Sequence, residues 1–225
     1  MMPQKPTFAA DAQGFTLMEI MVALAIVALL FTSLFAVFDQ SMDVANQVKT
    51  VSSMDQNARM ILRQMANDLD SLVIPQDTKT GFDFQGQSPE PEFMVDNSTI
   101  LEFSTTASLD FNATFPSHSL YRVSYILTPL EDIEPKQFRL LRSQVLQTGN
   151  GTVSSSRTTL SLSKTIKSFE LEFVDSEQIE PAQSWNADDL LQESQPPPKE
   201  VRIRFSLSGP SGREENFALA RALTD

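Results

Sequence analysis

Gly14-Phe15-Thr16-Leu17-Met18-Glu19, followed by a run from Ile20 to Phe38 with no charge, proline or glycine, decides how this chain is built. As a helix the run is about 28 Å long, and with Phe15 to Met18 it is long enough to span a bilayer. A carboxylate at its start is costly, because hydrocarbon solvates charge poorly, so Glu19 reads as functional and in want of a partner. The Gly14-Phe15 junction reads as a processing site. A cut there would bring the new amine of Phe15 to the same helix end as the Glu19 carboxylate. An ordinary secretory signal is the competing reading, but the run exceeds the roughly 7–15 apolar residues of such a peptide and no A-x-A-like site follows. Lys5 before the span and Asp39 and Asp43 after it are a thin asymmetry favouring a cytoplasmic N-terminus.

Beyond the span the helix is expected to continue. Val44, Val48, Val51, Met54, Ala58, Leu62, Met65, Leu69, Leu72 and Val73 recur at steps of three and four, one amphipathic stripe, and Pro75 closes the element. Leu62, Met65 and Leu69 are the expected buried centre. Met42 and Met60 fall nearly opposite Val44 and Leu62, on an outer face suited to partner contact because methionine adapts its shape. Pro75 to Glu92 reads as a loop. After it the period changes to two. Tyr121 to Leu127, Phe169 to Phe173 and Val201 to Leu207 alternate as half-buried antiparallel strands, with weaker ones at Thr99–Ser104, Gln137–Arg142 and Asn216–Ala220. Gln147–Ser156 reads as a polar loop and Asp175–Glu200 as a long acidic connection. Glu170 and Glu172 are expected to lie beside Arg202 and Arg204 on neighbouring strands. The fold class is therefore α+β: a long N-terminal helix, membrane-spanning in its first half, packed on antiparallel sheet. The domain reading is a leader over 1–14, the span over 15–38, an amphipathic continuation over 39–74 and a β-rich domain over 75–225.

Composition excludes several functions. The 225 residues carry a net charge of −12, which argues against a nucleic-acid footprint. With no cysteine, neither disulfides nor thiolate metal sites can form. Ser117-His118-Ser119 offers a nucleophile and a base, but no orienting acid or elbow motif surrounds them, so they read as surface beside a strand. Asn97-Ser98-Thr99, Asn112-Ala113-Thr114 and Asn150-Gly151-Thr152 match a glycosylation triplet that is common by chance. Trp185 reads as packing, and Pro196-Pro197-Pro198 as a stiff linker. No cofactor or metal is expected.

The N-terminal motif resembles the class III signal of type IV pilins and type II secretion pseudopilins. The resemblance implies cleavage by a prepilin peptidase after Gly14, methylation of the new amine on Phe15, and an assembly role for Glu19. The leader departs from that pattern, since its one lysine is balanced by Asp11. The remaining chain resembles the minor pseudopilin J subfamily, through Ala58–Leu69, Ser119–Leu127, Ile166–Asp175, Trp185 and Pro198–Ile203 in order. Ala36 stands where major pilins and the major pseudopilin place a proline in the membrane helix. What the resemblance implies is a non-enzymatic, single-pass inner-membrane subunit with a periplasmic C-terminal domain. Its partners would be the other minor pseudopilins of a tip complex, the major pseudopilin and the prepilin peptidase. Related pseudopilins bind calcium, for which Asp188-Asp189 and Glu193 are the candidates; without the EF-hand ligand order they also read as a solvated acidic loop. Two alternatives stand beside this reading: a minor type IV pilin in pilus priming or DNA uptake, and a membrane-anchored periplasmic enzyme or binding domain.

Overall fold

Helix α1 (Leu17–Asp70) starts where its first backbone donors find an acceptor. The Thr16 hydroxyl accepts from the Glu19 N–H at 3.3 Å, and the Thr16 carbonyl accepts from Glu19 and Ile20 N–H at 3.1 and 3.3 Å. Thr16 is thus the N-cap and Glu19 the third helical residue, the T-x-x-E pattern of a capping box. A carboxylate in the first turn also suits the positive end of the helix dipole. The computed structural model describes residues 15–74, 84–90, 96–109, 119–131, 136–147, 153–175, 180–186, 197–209 and 212–223.

The chain divides into two units, the first ending at Lys49 and the second beginning at Thr50. In the first, every described side chain is exposed, including the large apolar ones from Phe15 to Phe38. Hydroxyls along it are satisfied within the helix. Thr32, Ser33 and Ser41 donate to the carbonyls of Ala28, Leu29 and Val37 at 2.8–2.9 Å. Internal satisfaction of this kind is what hydrocarbon demands of a spanning segment. By length and composition this helix can cross a membrane.

Among its described residues the second unit is built on one antiparallel sheet of eight strands, ordered β6-β1-β2-β3-β4-β5-β7-β8. They are β1 (Phe84–Gln87), β2 (Ser98–Thr105), β3 (Leu120–Pro129), β4 (Phe138–Gln147), β5 (Val153–Val174), β6 (Ser184–Asn186), β7 (Glu200–Ser208) and β8 (Glu214–Ala222). The 22 residues of β5 serve two neighbours: its first part pairs with β4 and its last, from Ile166, with β7. The sheet curls, because the chain just before β6 returns to β5. Ala182 and Phe173 exchange both backbone bonds at 2.8 Å, and the Leu171 N–H donates to the Ser88 hydroxyl at 3.1 Å.

The core lies on the inner face of this curl. Met54, Ala58, Ile61, Met65 and Leu69 of α1 pack against Phe84, Phe103, Tyr125, Phe138, Phe169, Ile203 and Phe205. Strand alternation selects these residues, since every second side chain of β3 and β7 points inward. Phe173 sits edge-on to Phe84 at 6.1 Å and tilted against Trp185 at 6.4 Å. Gly86 makes room for it: a Cβ there would overlap the Phe173 ring. Gly86→Ala is therefore expected to cost about 1–3 kcal/mol through overpacking. Denaturant unfolding checks this, and an unchanged midpoint would mean that the ring moves aside freely.

Several expectations are corrected. The helix ends at Asp70, not Ile74, because the end of β2 takes over: Val73 N–H bonds to Ser104 O and Thr106 N–H to Ser71 O, each at 3.0 Å. The buried stripe begins at Met54; Val44 and Val48 are exposed. Its centre is Ile61, fully buried, while Leu62 is only partly so. β1 lies inside the segment read as a loop, β6 inside the acidic connection, and β5 begins at Val153 within the expected polar loop. Short or polar strands carry too little apolar alternation to be seen alone; they form because a neighbour supplies the ladder. The expected pairing of β5 with β7 holds, with Glu170 opposite Arg204 and Glu172 opposite Arg202. Arg204 takes Glu172 diagonally and bidentately at 2.7 and 3.0 Å, whereas Arg202 turns to Glu200 in its own strand at 2.6 Å. Exposed pairs of this kind contribute roughly 0.2–1 kcal/mol each, enough to favour a register and little more.

Candidate functional site

The sequence-predicted residues fall into separate places. Gly14 lies outside the described residues, as do Ser117, His118, Asp188, Asp189, Glu193, Asn112 and Asn150. Phe15 and Glu19 stand together at the exposed start of α1. Met42 and Met60 are both about half exposed, at 50% and 49%, and lie in different units. Trp185 is buried against Phe173, and its indole N–H has no acceptor among the described residues. Among the described residues, no three His, Asp or Glu side chains gather where they could hold a metal ion.

The most concentrated chemistry is a buried polar cluster where α1 meets the sheet. Asp68, in the last turn of the helix, is fully buried, and so is Arg142 of β4 at 1% exposure. The guanidinium grips the carboxylate with two bonds, Nε to Oδ2 at 2.6 Å and Nη2 to Oδ1 at 3.0 Å. The fork geometry of arginine matches both carboxylate oxygens. The Tyr125 hydroxyl donates to Oδ2 at 2.6 Å and the Gln64 amide to Oδ1 at 2.9 Å. Arg142 Nη1 donates to Gln144 Oε1 at 2.7 Å, which also accepts from the Leu109 N–H at 3.0 Å. The Thr105 hydroxyl lies 3.0 and 2.9 Å from the carbonyls of Asp68 and Ser71, and accepts from the Ala107 N–H at 3.1 Å.

This arrangement joins the helix end to three strands. An aspartate near a helix C-terminus meets the negative end of the dipole, and the Arg142 charge offsets both. Burial, together with the Asp68 carboxylate, pushes the Tyr125 hydroxyl well above its ordinary value, so it keeps its proton. Each partner is satisfied by the others, and the cluster fastens rather than reacts. Sequence reasoning missed it, although a signal existed. Asp68 lies seven residues from Ile61 on the buried stripe, and Arg142 falls in step with Phe138 and Leu140 on an inward face. Two charges of opposite sign, each at a position that periodicity gives to the core, point to each other.

Residues 10–35 match the model for the prokaryotic N-terminal methylation motif. A methylation motif opening an apolar helix, with a curled antiparallel sheet beyond it, defines a pilin-like protein. Residues 36–219 match the model for type II secretion system (T2SS) protein J, and the chain belongs to that family. It is a type II secretion pseudopilin, with an N-terminal membrane anchor and a globular domain after it. No curated protein matches the chain.

Proposed function

We propose that this pseudopilin works at the tip of the pseudopilus, where it joins the other minor pseudopilins, starts assembly and helps export folded proteins. The match to protein J over residues 36–219 is the observation that carries this reading. The chain enters the inner membrane once, N-terminus in the cytoplasm, and its domain lies in the periplasm. Prepilin peptidase cuts between Gly14 and Phe15, and the major pseudopilin assembles beneath the tip.

Glu19 supplies the assembly contact in this account. Its side chain is exposed at the apolar end of α1, and the first helical turn leaves it free to meet an N-terminal amine, its own or that of a neighbour. Charge needs countercharge in hydrocarbon. Glu19→Ala should therefore leave cleavage and insertion intact and lower recruitment into the pseudopilus. Crosslinking of the full chain to the other pseudopilins in membranes tests this directly. Undiminished crosslinking would remove the role assigned to Glu19.

A further inference from the structure

β5 changes neighbours part-way along its length, and the change leaves a slot. On one side β4 accompanies it as far as Ile166, opposite Phe138, and Ala182 joins that same side at Phe173. The ladder shows which backbone groups point into the space between. From Ser168 to Val174 the register with β7 is unbroken. Its even-numbered residues face β7: the Val174 carbonyl accepts from the Lys199 N–H at 2.9 Å, and the Ser168 N–H donates to Ser206 Oγ at 3.1 Å. The odd-numbered ones face away: Phe173 exchanges both backbone bonds with Ala182, and the Leu171 N–H goes to Ser88 Oγ. By this alternation Phe169 also directs its N–H and C=O away from β7. β4 begins opposite Ile166, too far back to meet them, so among the described residues Phe169 has no partner strand on that side.

A groove of about 620 Å³ opens over this slot, with Ser88, Pro89 and Glu90 on one side and Ser168, Phe169 and Glu170 on the other. The Phe169 side chain is buried in the core, so what this residue presents to the groove is its backbone. Two carboxylates stand over it. Glu90 is exposed and has no ion pair among the described residues. Glu170 is also exposed, and Arg204, 3.7 Å away, is held by Glu172 with two shorter bonds. Lys167, at the end of the groove, is tied to Glu214.

We infer that this slot takes an extended, basic segment of another protein as a short strand antiparallel to β5. One residue of the segment exchanges both bonds with Phe169, as Ala182 does with Phe173. Main-chain bonds to an open edge supply affinity, and alternate side chains supply specificity. Side chains of an added strand point to opposite faces in turn. Those on the face of Glu170 are therefore lysine or arginine, and those between them are apolar. A net charge of −12 draws such a segment in. The segment is only about five residues long and extended before it binds, so the orientation of its parent protein in the membrane does not constrain it.

Amide hydrogen exchange tests this on the full chain in detergent, read by NMR with isotope-labelled phenylalanine. The probes are the peptides acetyl-Lys-Val-Lys-Val-Lys-amide and acetyl-Glu-Val-Glu-Val-Glu-amide. In the chain alone the Phe169 amide should exchange at least ~100-fold faster than the bonded Phe173 amide. The lysine peptide in millimolar excess should slow Phe169 roughly tenfold, the protection given by a ligand at about ten times its Kd. The glutamate peptide should not. Glu90→Lys combined with Glu170→Lys should reverse the two responses, with unchanged Phe173 exchange showing that the sheet is intact. A Phe169 amide as slow as Phe173 in the chain alone would mean that the slot is already filled. That result, no slowing by the lysine peptide, or equal slowing by both peptides would each overturn the proposal.

Discussion

Replacing Arg142 with methionine should lower the stability of the domain by about 3–5 kcal/mol, because it leaves the Asp68 carboxylate buried and without its countercharge. For a domain of this size that corresponds to roughly 6–20 °C in melting temperature. The double variant Asp68→Leu with Arg142→Met should lose much less than the sum of the single losses, since it removes the stranded charge together with its partner. A double-mutant cycle by denaturant unfolding measures the difference; additive losses would mean that the two side chains do not act as a pair. Tyr125 adds a pH signature. Its proton is held more tightly in the folded chain than in the unfolded one, so the unfolded state ionises first as pH rises. The stabilisation is fully present below about pH 10 and falls above it, by ~1.4 kcal/mol per pH unit until the folded hydroxyl also ionises. Tyr125→Phe should flatten that component.

Ile61→Asp should unfold the domain, and Met60→Asp should not, although the two residues are adjacent. Ile61 is fully buried in the centre of the core, and an aspartate there loses the apolar contacts and strands a charge, a combined cost above about 4 kcal/mol. Leu62→Asp should cost less, because that side chain is only partly buried. Met60 points outward, and a charge there should change stability by no more than about 0.5 kcal/mol. On the proposal that Met60 is an adaptable apolar contact for neighbouring helices, the same charge should weaken binding to the other minor pseudopilins. Circular dichroism of the purified full chain in detergent gives the folding arm and co-purification the binding arm. Normal binding by Met60→Asp would move the interface off this face of the helix.

The strands that alternate strongly were legible because one face of each meets the core and the other meets water. Val123 and Ile203 are fully buried between polar neighbours, and the period of two follows directly. β1 and β6 were not legible. Four residues reading Phe-Gln-Gly-Gln, and three around Trp185, hold no pattern of their own and exist as strands only by pairing with each other and with β2. On the helix stripe Met65 and Leu69 are buried as expected, and only Leu62 gives way to Ile61, since the two are equally apolar and only the position of the sheet separates them. The helix end was misplaced because Thr105, far away in sequence, captures the final carbonyls. At the candidate site, Glu19 was legible as a charge in an apolar context. The Asp68–Arg142 pair was not, because attention to apolar periodicity passes over the charged residue that completes it.

On the function proposed above, the helix starting at Leu17 enters a pseudopilus as the mature N-terminal segment of the chain. Intact-mass and N-terminal mass spectrometry of the membrane form, coexpressed with a prepilin peptidase, tests it most directly. The predicted result is a chain that begins at Phe15 with a methylated amine and is otherwise unshortened. A terminus still at Met1, or a cut beyond Phe38 that releases the domain from its helix, would contradict the account.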